Sequence, residues 1–210
     1  MSALIRLLLW LLIGFSAGCA TVGAGAKADA DHEKAPELSK QRLILSQGYS
    51  MLYTDASHVD LLGLILYVKT GSDDFEKLIT SLSDFGGDLK KDLERIAKDY
   101  PGVRIDLDPL PEMEKRKRTA IAKDKAIQFA PVVGIGGVEY ERSTLISMSN
   151  AVNHESHLCR VMAAEETDPN LKKFLLEAEK HYHGLYMRIN ALMDRKYFRT
   201  KTSKPEHSKK

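Results

Sequence analysis

The segment DPNLKKFLLEAEKHYHGLYMRINALM, residues 168–193, carries the clearest helix signal in the chain. Asp168 is a preferred helix N-cap, and a proline fits the first helical position, where no backbone N–H is needed. Apolar residues then recur at steps of three and four, which places their side chains on one helix face. They are Leu171, Leu175, Ala178, Tyr182, Leu185, Ile189 and Leu192. The segment therefore predicts a long amphipathic helix with one buried face.

Three further segments show the same spacing. The first predicted helix runs from about Leu38 to Lys69. The second begins at Asp73, where Glu76 three residues later completes a capping box, and it ends before Tyr100. The third core helix begins near Glu139. The apolar faces comprise Leu38, Leu45, Tyr49, Leu52, Ala56, Val59, Leu62 and Leu66 in the first helix, Phe75, Leu78, Leu82, Phe85, Leu89, Leu93 and Ile96 in the second, and Leu145, Met148, Val152, Cys159 and Met162 in the third.

An extra charged helix is predicted from near Glu112 to a break at Pro131, ahead of the third core helix. The basic residues 115–118 would spread around this helix beside Glu112 and Glu114, so we expect a solvated face, with phosphate or lipid-headgroup binding as the alternative. No useful strand alternation and no internal repeat occur in the sequence. The predicted fold is all-α: an antiparallel four-helix bundle with this charged helix inserted before the third core helix.

The N-terminus has the order of a secretory signal: Arg6, an apolar run over residues 7–15, small residues at 16–18, and then Cys19. This stretch resembles the lipobox of bacterial lipoproteins. The resemblance implies cleavage before Cys19, a diacylglyceryl group on its thiol, and a further fatty acyl chain such as palmitate on the new amino terminus. By the same resemblance, Ala20 after the cysteine favours the outer membrane, facing the periplasm, over the inner membrane.

Two alternatives to lipidation remain open, namely ordinary secretion and an uncleaved membrane anchor within residues 7–26, a stretch without charge. The second half of that stretch is rich in small residues, which enter hydrocarbon poorly. The expected organisation is a signal peptide at 1–18, a lipidated flexible tether at 19–36, a helical domain at 37–198 and a basic disordered tail at 199–210.

Composition narrows the range of partners. With 31 basic and 29 acidic residues, the chain is close to neutral, so we expect no nucleic-acid binding. The only two cysteines are Cys19 and Cys159. If Cys19 carries lipid, Cys159 has no partner for an intramolecular disulfide, and its place on an apolar face predicts a core residue.

Four long helices also resemble the ferritin-like bundles, in which two helices each supply a carboxylate and the other two each supply a Glu-x-x-His pair. The chain contains no Glu-x-x-His. The nearest approach is Asp55 with His58, inside and at the margin of the first apolar stripe. Glu155 falls inside the third stripe, and Glu179 and His181 flank the fourth. These five residues are the candidate metal ligands.

Two interpretations of the stripe carboxylates follow. We expect no cofactor. We expect Glu141 and Glu155 to pair with a Lys, Arg or Tyr side chain of a neighbouring helix, or to lie near a helix end, because an unpaired buried charge is costly. The alternative is bound iron, manganese or zinc. The second helix offers only Asp92, at the edge of its stripe, which weakens the alternative. His154 and His157 lie opposite the core face, so we expect them on the surface.

The predicted function is that of a membrane-tethered periplasmic protein whose helical domain binds a protein partner in the envelope. No catalytic motif supports an enzymatic activity. The main alternative is a ferritin-like metal-binding or oxidoreductase domain, and a third class is a small-molecule binder that uses a cavity between the helices.

Overall fold

The computed structural model describes residues 39–67, 71–129 and 137–198, so the predicted signal peptide, tether and tail lie outside the described residues. All secondary-structure elements in the described residues are helices, which confirms the all-α class. The helices are α1 (Lys40–Asp60), α2 (Asp73–Asp99), α3 (Glu112–Phe129), α4 (Val138–Glu165) and α5 (Pro169–Met193), with a 3-10 segment at Leu61–Tyr67 and a π-helical turn at Asp194–Phe198. Within the described ranges, no helix is long and apolar enough to span a membrane.

The helix starts follow the capping signals, with one correction. The Asp168 carboxylate accepts hydrogen bonds from the backbone N–H groups of Asn170 and Leu171 at 2.8 and 3.1 Å, which confirms the predicted cap of α5. At α2 the cap is Ser72, and Asp73 is the first helical residue. The Ser72 side chain makes no capping hydrogen bond, and its hydroxyl donates to Glu141 of α4 instead.

The first α-helix is shorter than the sequence predicts, because it changes to a 3-10 helix after Asp60. Ser83 of α2 lies at this point. Its hydroxyl donates to the Asp60 carbonyl oxygen at 2.6 Å and accepts from the Gly63 N–H at 3.2 Å. These bonds tie the end of α1 to α2.

The helices pack as two pairs. The most extensive interfaces are α4 with α5 and α1 with α2, and the two pairs meet through α1–α4 and α2–α5. The predicted apolar faces form the core. All of their described members are buried except Leu66 and Phe85, which are partly buried, and Leu38 lies outside the described residues. Gly86 lets α1 and α2 approach closely, because a Cβ atom there would lie 2.6 Å from the Asp60 backbone nitrogen.

Candidate functional site

Two of the candidate ligands, Asp55 on α1 and Glu155 on α4, meet in the core, and we call them the core carboxyl pair. Their carboxyl groups lie close enough to each other to interact directly. Glu155 is only 9% exposed, among apolar residues of α4 such as Val152 and Cys159. The Asp55 side chain is 21% exposed. The residue that faces Glu155 is therefore another acid, and the prediction of a Lys, Arg or Tyr partner is wrong for Glu155.

Two polar atoms beside this pair have no hydrogen-bond partner among the described residues. They are Oε2 of Glu155 and the phenolic oxygen of Tyr182 on α5, whose side chain is fully buried. Burial raises the pKa of Tyr182, and the neighbouring acidic groups of Glu155, Cys159 and Asp55 add to this effect. Sequence periodicity identified Tyr182 only as a core residue, because spacing along one helix carries no information on what the hydroxyl faces.

Within the core carboxyl pair, the pKa of Glu155 is unusual for a glutamate. Burial is the largest effect on Glu155, and the charge and hydrogen bond of Asp55 add to it, so the pKa of Glu155 is held well above its ordinary value. Arg118 on α3 is close enough to lower this pKa, but by less. Its guanidinium donates to Glu114 at 3.2 Å, and among the described residues it forms no ion pair with Glu155. The sequence analysis had assigned Arg118 only to a solvated basic run.

Of the remaining three candidate ligands, His58 lies beside the core carboxyl pair, whereas Glu179 and His181 contact other residues. His58 stays near, with Nδ1 3.9 Å from Oδ1 of Asp55. Glu179 instead binds Arg160, with the Arg160 guanidinium 2.7 Å from its carboxylate. The ring of His181 stacks on Phe85 with 3.9 Å between ring centroids and 5° between planes.

These residues do not fit a ferritin-like two-metal centre. Such a centre draws six ligands from four helices. At the level of the pair, α2 presents Phe85, whose ring meets Tyr182 edge-on with 4.8 Å between centroids. Among the residues that the structure describes, no group of three or more His, Cys, Asp or Glu side chains is arranged to hold a metal ion.

Glu166, just after the end of α4, is buried like Glu155, but hydrogen-bond donors surround its carboxylate. The Arg42 guanidinium donates to both carboxylate oxygens at 2.9 and 2.8 Å, and the Tyr49 hydroxyl donates at 3.1 Å. Backbone N–H groups of Thr167 and Asp168 add bonds of 3.0 and 3.1 Å. Burial alone would raise the pKa of Glu166, but these donors together lower it. Sequence analysis missed this site, since Glu166 lies beyond the helical stripe.

Glu141, at the start of α4, resembles Glu166 and lies at the opposite end of the core. Lys196 and Tyr197 donate to its carboxylate at 2.6 and 2.8 Å, and Ser72 adds its N–H and hydroxyl. Burial opposes ionisation, yet these donors lower the pKa of Glu141. The expectation of a Lys, Arg or Tyr partner is therefore confirmed for Glu141. We call Glu141 and Glu166 the end carboxylates.

The exposure or burial of three further residues was also predicted from the sequence. His154 and His157 are exposed and Cys159 is buried, as the helix periodicity predicted.

No protein-family model, curated protein or solved structure matches the chain. Function must therefore be inferred from the chain's own residues and their geometry.

Proposed function

We propose that this chain is a lipid-anchored protein of the cell envelope whose helical domain binds a protein partner and catalyses no reaction. The anchor rests on the lipobox-like residues 16–18 and on Cys19, which lie outside the described residues. Two or three acyl chains hold a protein firmly on a bilayer, whereas one holds it only marginally. Ala20 favours the outer membrane, with the domain in the periplasm.

Fatty-acid labelling tests the anchor. The full chain and its Cys19→Ser variant would be expressed in a diderm bacterium with labelled fatty acid. We expect label in the wild-type chain and none in the variant. A wild-type chain without label would overturn the anchor, and a wild-type chain that keeps its first residues would indicate the uncleaved membrane anchor.

We also infer that the four long helices, α1, α2, α4 and α5, form an antiparallel bundle with one long crossover. Arg42 near the start of α1 binds Glu166 after α4, so α1 and α4 run in opposite directions. Ser72 before α2 binds Glu141 at the start of α4, so α2 and α4 run the same way. The chain between α2 and α4, which includes α3, must therefore return along the bundle, as in ferritin-like folds.

The observation that supports partner binding is the 3-10 segment Leu61–Tyr67, with sequence LLGLILY, which we call the apolar end segment. Only Leu62 in it is buried. Leu61 is 43% and Tyr67 is 85% exposed. The segment borders an open groove of about 430 Å³ against α2. Large apolar side chains grouped at one site, unlike apolar residues scattered singly, are typical of interaction surfaces.

The rim of this groove favours a protein partner over a lipid surface. Asp60 and Asp84 line it together with the hydroxyls of Thr80 and Ser83. Lys90 lies 3.6 Å from Asp60, whereas Asp84 is exposed at the rim. Acidic groups beside an apolar surface repel anionic lipid headgroups. We therefore expect a protein segment that presents apolar side chains flanked by Lys or Arg.

Photo-crosslinking in intact cells tests this surface. A photoreactive residue would replace Tyr67 in one variant and, as a matched control, Val161 in another, which is 62% exposed on α4. We expect one discrete adduct at position 67, none at position 161, and loss of the adduct when Asp84→Lys is added. Equal labelling at both positions would contradict the proposal, as would an adduct of two copies of this chain.

Metal binding by the core carboxyl pair is the rival candidate, and one observation favours it. Glu155 Oε2 and the Tyr182 hydroxyl are buried and lack partners within the described part of the chain. The incomplete ligand set weighs against it. Iron, manganese or zinc in stoichiometric amount in the purified chain, lost in both Glu155→Gln and Asp55→Asn, would replace our proposal with a metal-binding function.

A further inference from the structure

The core carboxyl pair lies where the two helical pairs meet. Asp55 belongs to the α1–α2 pair and Glu155 to the α4–α5 pair. The α1–α4 interface is much smaller than the interface within either pair. A polar contact buried at the smaller interface therefore affects how stably the α1–α2 pair packs against the α4–α5 pair.

The contact between these carboxyl groups needs a proton or a cation. An ionised carboxylate carries only hydrogen-bond acceptors, so two ionised carboxylates cannot bond to each other, whereas a protonated one donates. Two adjacent carboxylates out of water also repel strongly, so one of them is held neutral. Glu155 is the more deeply buried of the two and is the expected site of the proton.

The surrounding helices supply little positive charge. On α1, His58 lies beside Asp55, with 3.9 Å between Nδ1 and Oδ1. On α3, Arg118 acts on Glu155 from a distance while it binds Glu114. No group of α2 among the described residues perturbs the pKa of Glu155.

The two helices of the other pair add acidic or neutral groups. Cys159, one turn along α4, is buried, and burial with the nearby Glu155 and Glu179 raises the pKa of its thiol, so it stays neutral. Tyr182 on α5 is likewise a neutral phenol. The Glu179 carboxylate is already bound by Arg160. These neighbours supply no further metal ligand among the described residues, so one proton on the core carboxyl pair fits the site better than a metal ion does.

We propose that Asp55 and Glu155 form a proton-binding site that holds one shared proton at neutral pH and joins α1 to α4 through it. The proton resides on Glu155 and is donated to the Asp55 carboxylate. On alkalinisation it leaves to water, two facing carboxylates remain, and the α1–α4 contact weakens. No other bond forms or breaks. The unpartnered Tyr182 hydroxyl remains available to donate to the carboxylate that forms.

Infrared spectroscopy of the purified full chain tests the proton directly. At about pH 7 we expect the C=O stretch of a protonated carboxylic acid, since only a strongly shifted carboxyl is neutral there. Glu155→Gln should remove the band. Glu141→Gln should retain it, because that carboxylate is ionised. A wild-type spectrum without the band would overturn the proposal even if the variants fail to fold.

Stability against pH gives the second measurement. The folded-state pKa of Glu155 is raised, so the folded state loses stability as the pH climbs from the ordinary glutamate pKa through the raised value. Above the ordinary glutamate pKa, the unfolding equilibrium constant of the wild type should rise with pH by up to about tenfold per pH unit, and Glu155→Gln should flatten this rise. Equal slopes would contradict the proposal, as would stoichiometric metal lost in both Glu155→Gln and Asp55→Asn.

Discussion

Glu155 and Glu166 are both buried glutamates at the junction of α1 with α4, yet their environments are opposite. Glu166 is 3% exposed and Glu155 is 9% exposed, so burial works against ionisation in both. Four donors, from Arg42, Tyr49 and two backbone N–H groups, surround Glu166 and lower its pKa. Glu155 faces a second carboxyl group, and its pKa is raised.

The comparison shows that partners, more than depth of burial, determine the state of a buried carboxyl group. The end carboxylates, Glu141 and Glu166, are stabilised as anions and join segments distant in sequence. The core carboxyl pair lies between them, and in our proposal it is held together by a proton on one member. We infer that the two ends depend on ion pairs while the middle of the core depends on a proton.

The largest expected effect comes from Glu166→Gln. The change removes the bidentate partner of Arg42, whose side chain is only 20% exposed, and leaves that cation partly buried without its counter-charge. We expect a loss of about 3 kcal/mol in the free energy of unfolding, measured by urea denaturation at neutral pH. Glu177→Gln, on the exposed face of α5, is the control and should leave the midpoint unchanged. Equal midpoints for both variants would contradict the role of Glu166 as an ion-pair partner.

A smaller effect is expected for Glu141→Gln, because Lys196 remains partly exposed and can be hydrated. We expect a loss of about 1–2 kcal/mol and faster amide hydrogen exchange in the turn Asp194–Phe198. The lowered pKa means that the contribution of Glu141 is present above the ordinary glutamate pKa and is lost as the pH falls through the lowered value. Unchanged exchange in that turn would show that Glu141 does not hold it.

The smallest expected effect concerns Arg118→Gln. Arg118 lowers the pKa of Glu155, so its removal should move the ionisation of the core carboxyl pair to slightly higher pH. The matched control is Arg116→Gln on the same helix, where Arg116 binds Glu112 at 3.2 Å on an exposed face. The pH profile of unfolding measures both variants. A shift to lower pH, or equal shifts in the two, would contradict the placement of Arg118 near the pair.

Much of the fold could be predicted because helix periodicity is a local signal. Steps of three and four residues identified the buried faces of α1, α2, α4 and α5, and the cap at Asp168 was found from two adjacent residues. The end of α1 was not predictable. It depends on Ser83, which lies 20 residues after Gly63 in the chain and meets it only through packing.

The site was predicted only in part. Periodicity placed Asp55, Glu141 and Glu155 on core faces, but it could not show which of them would meet an acid and which a base. Glu166 carried no signal at all, because its partners lie 117 and 124 positions away at Tyr49 and Arg42. Phe85 was predicted as core, yet its stacking on His181 depends on how α2 meets α5.

The sequence by itself determined the all-helical class, the buried face of each long helix and the cap of α5, because these follow from interactions within a few residues. Only the tertiary structure decided that Glu155 faces Asp55 while Glu141 faces Lys196 and Glu166 faces Arg42. The physical reason is that a carboxyl group's pKa depends on charges and donors within a few ångströms. In this chain those groups come from other helices, and packing alone brings them together.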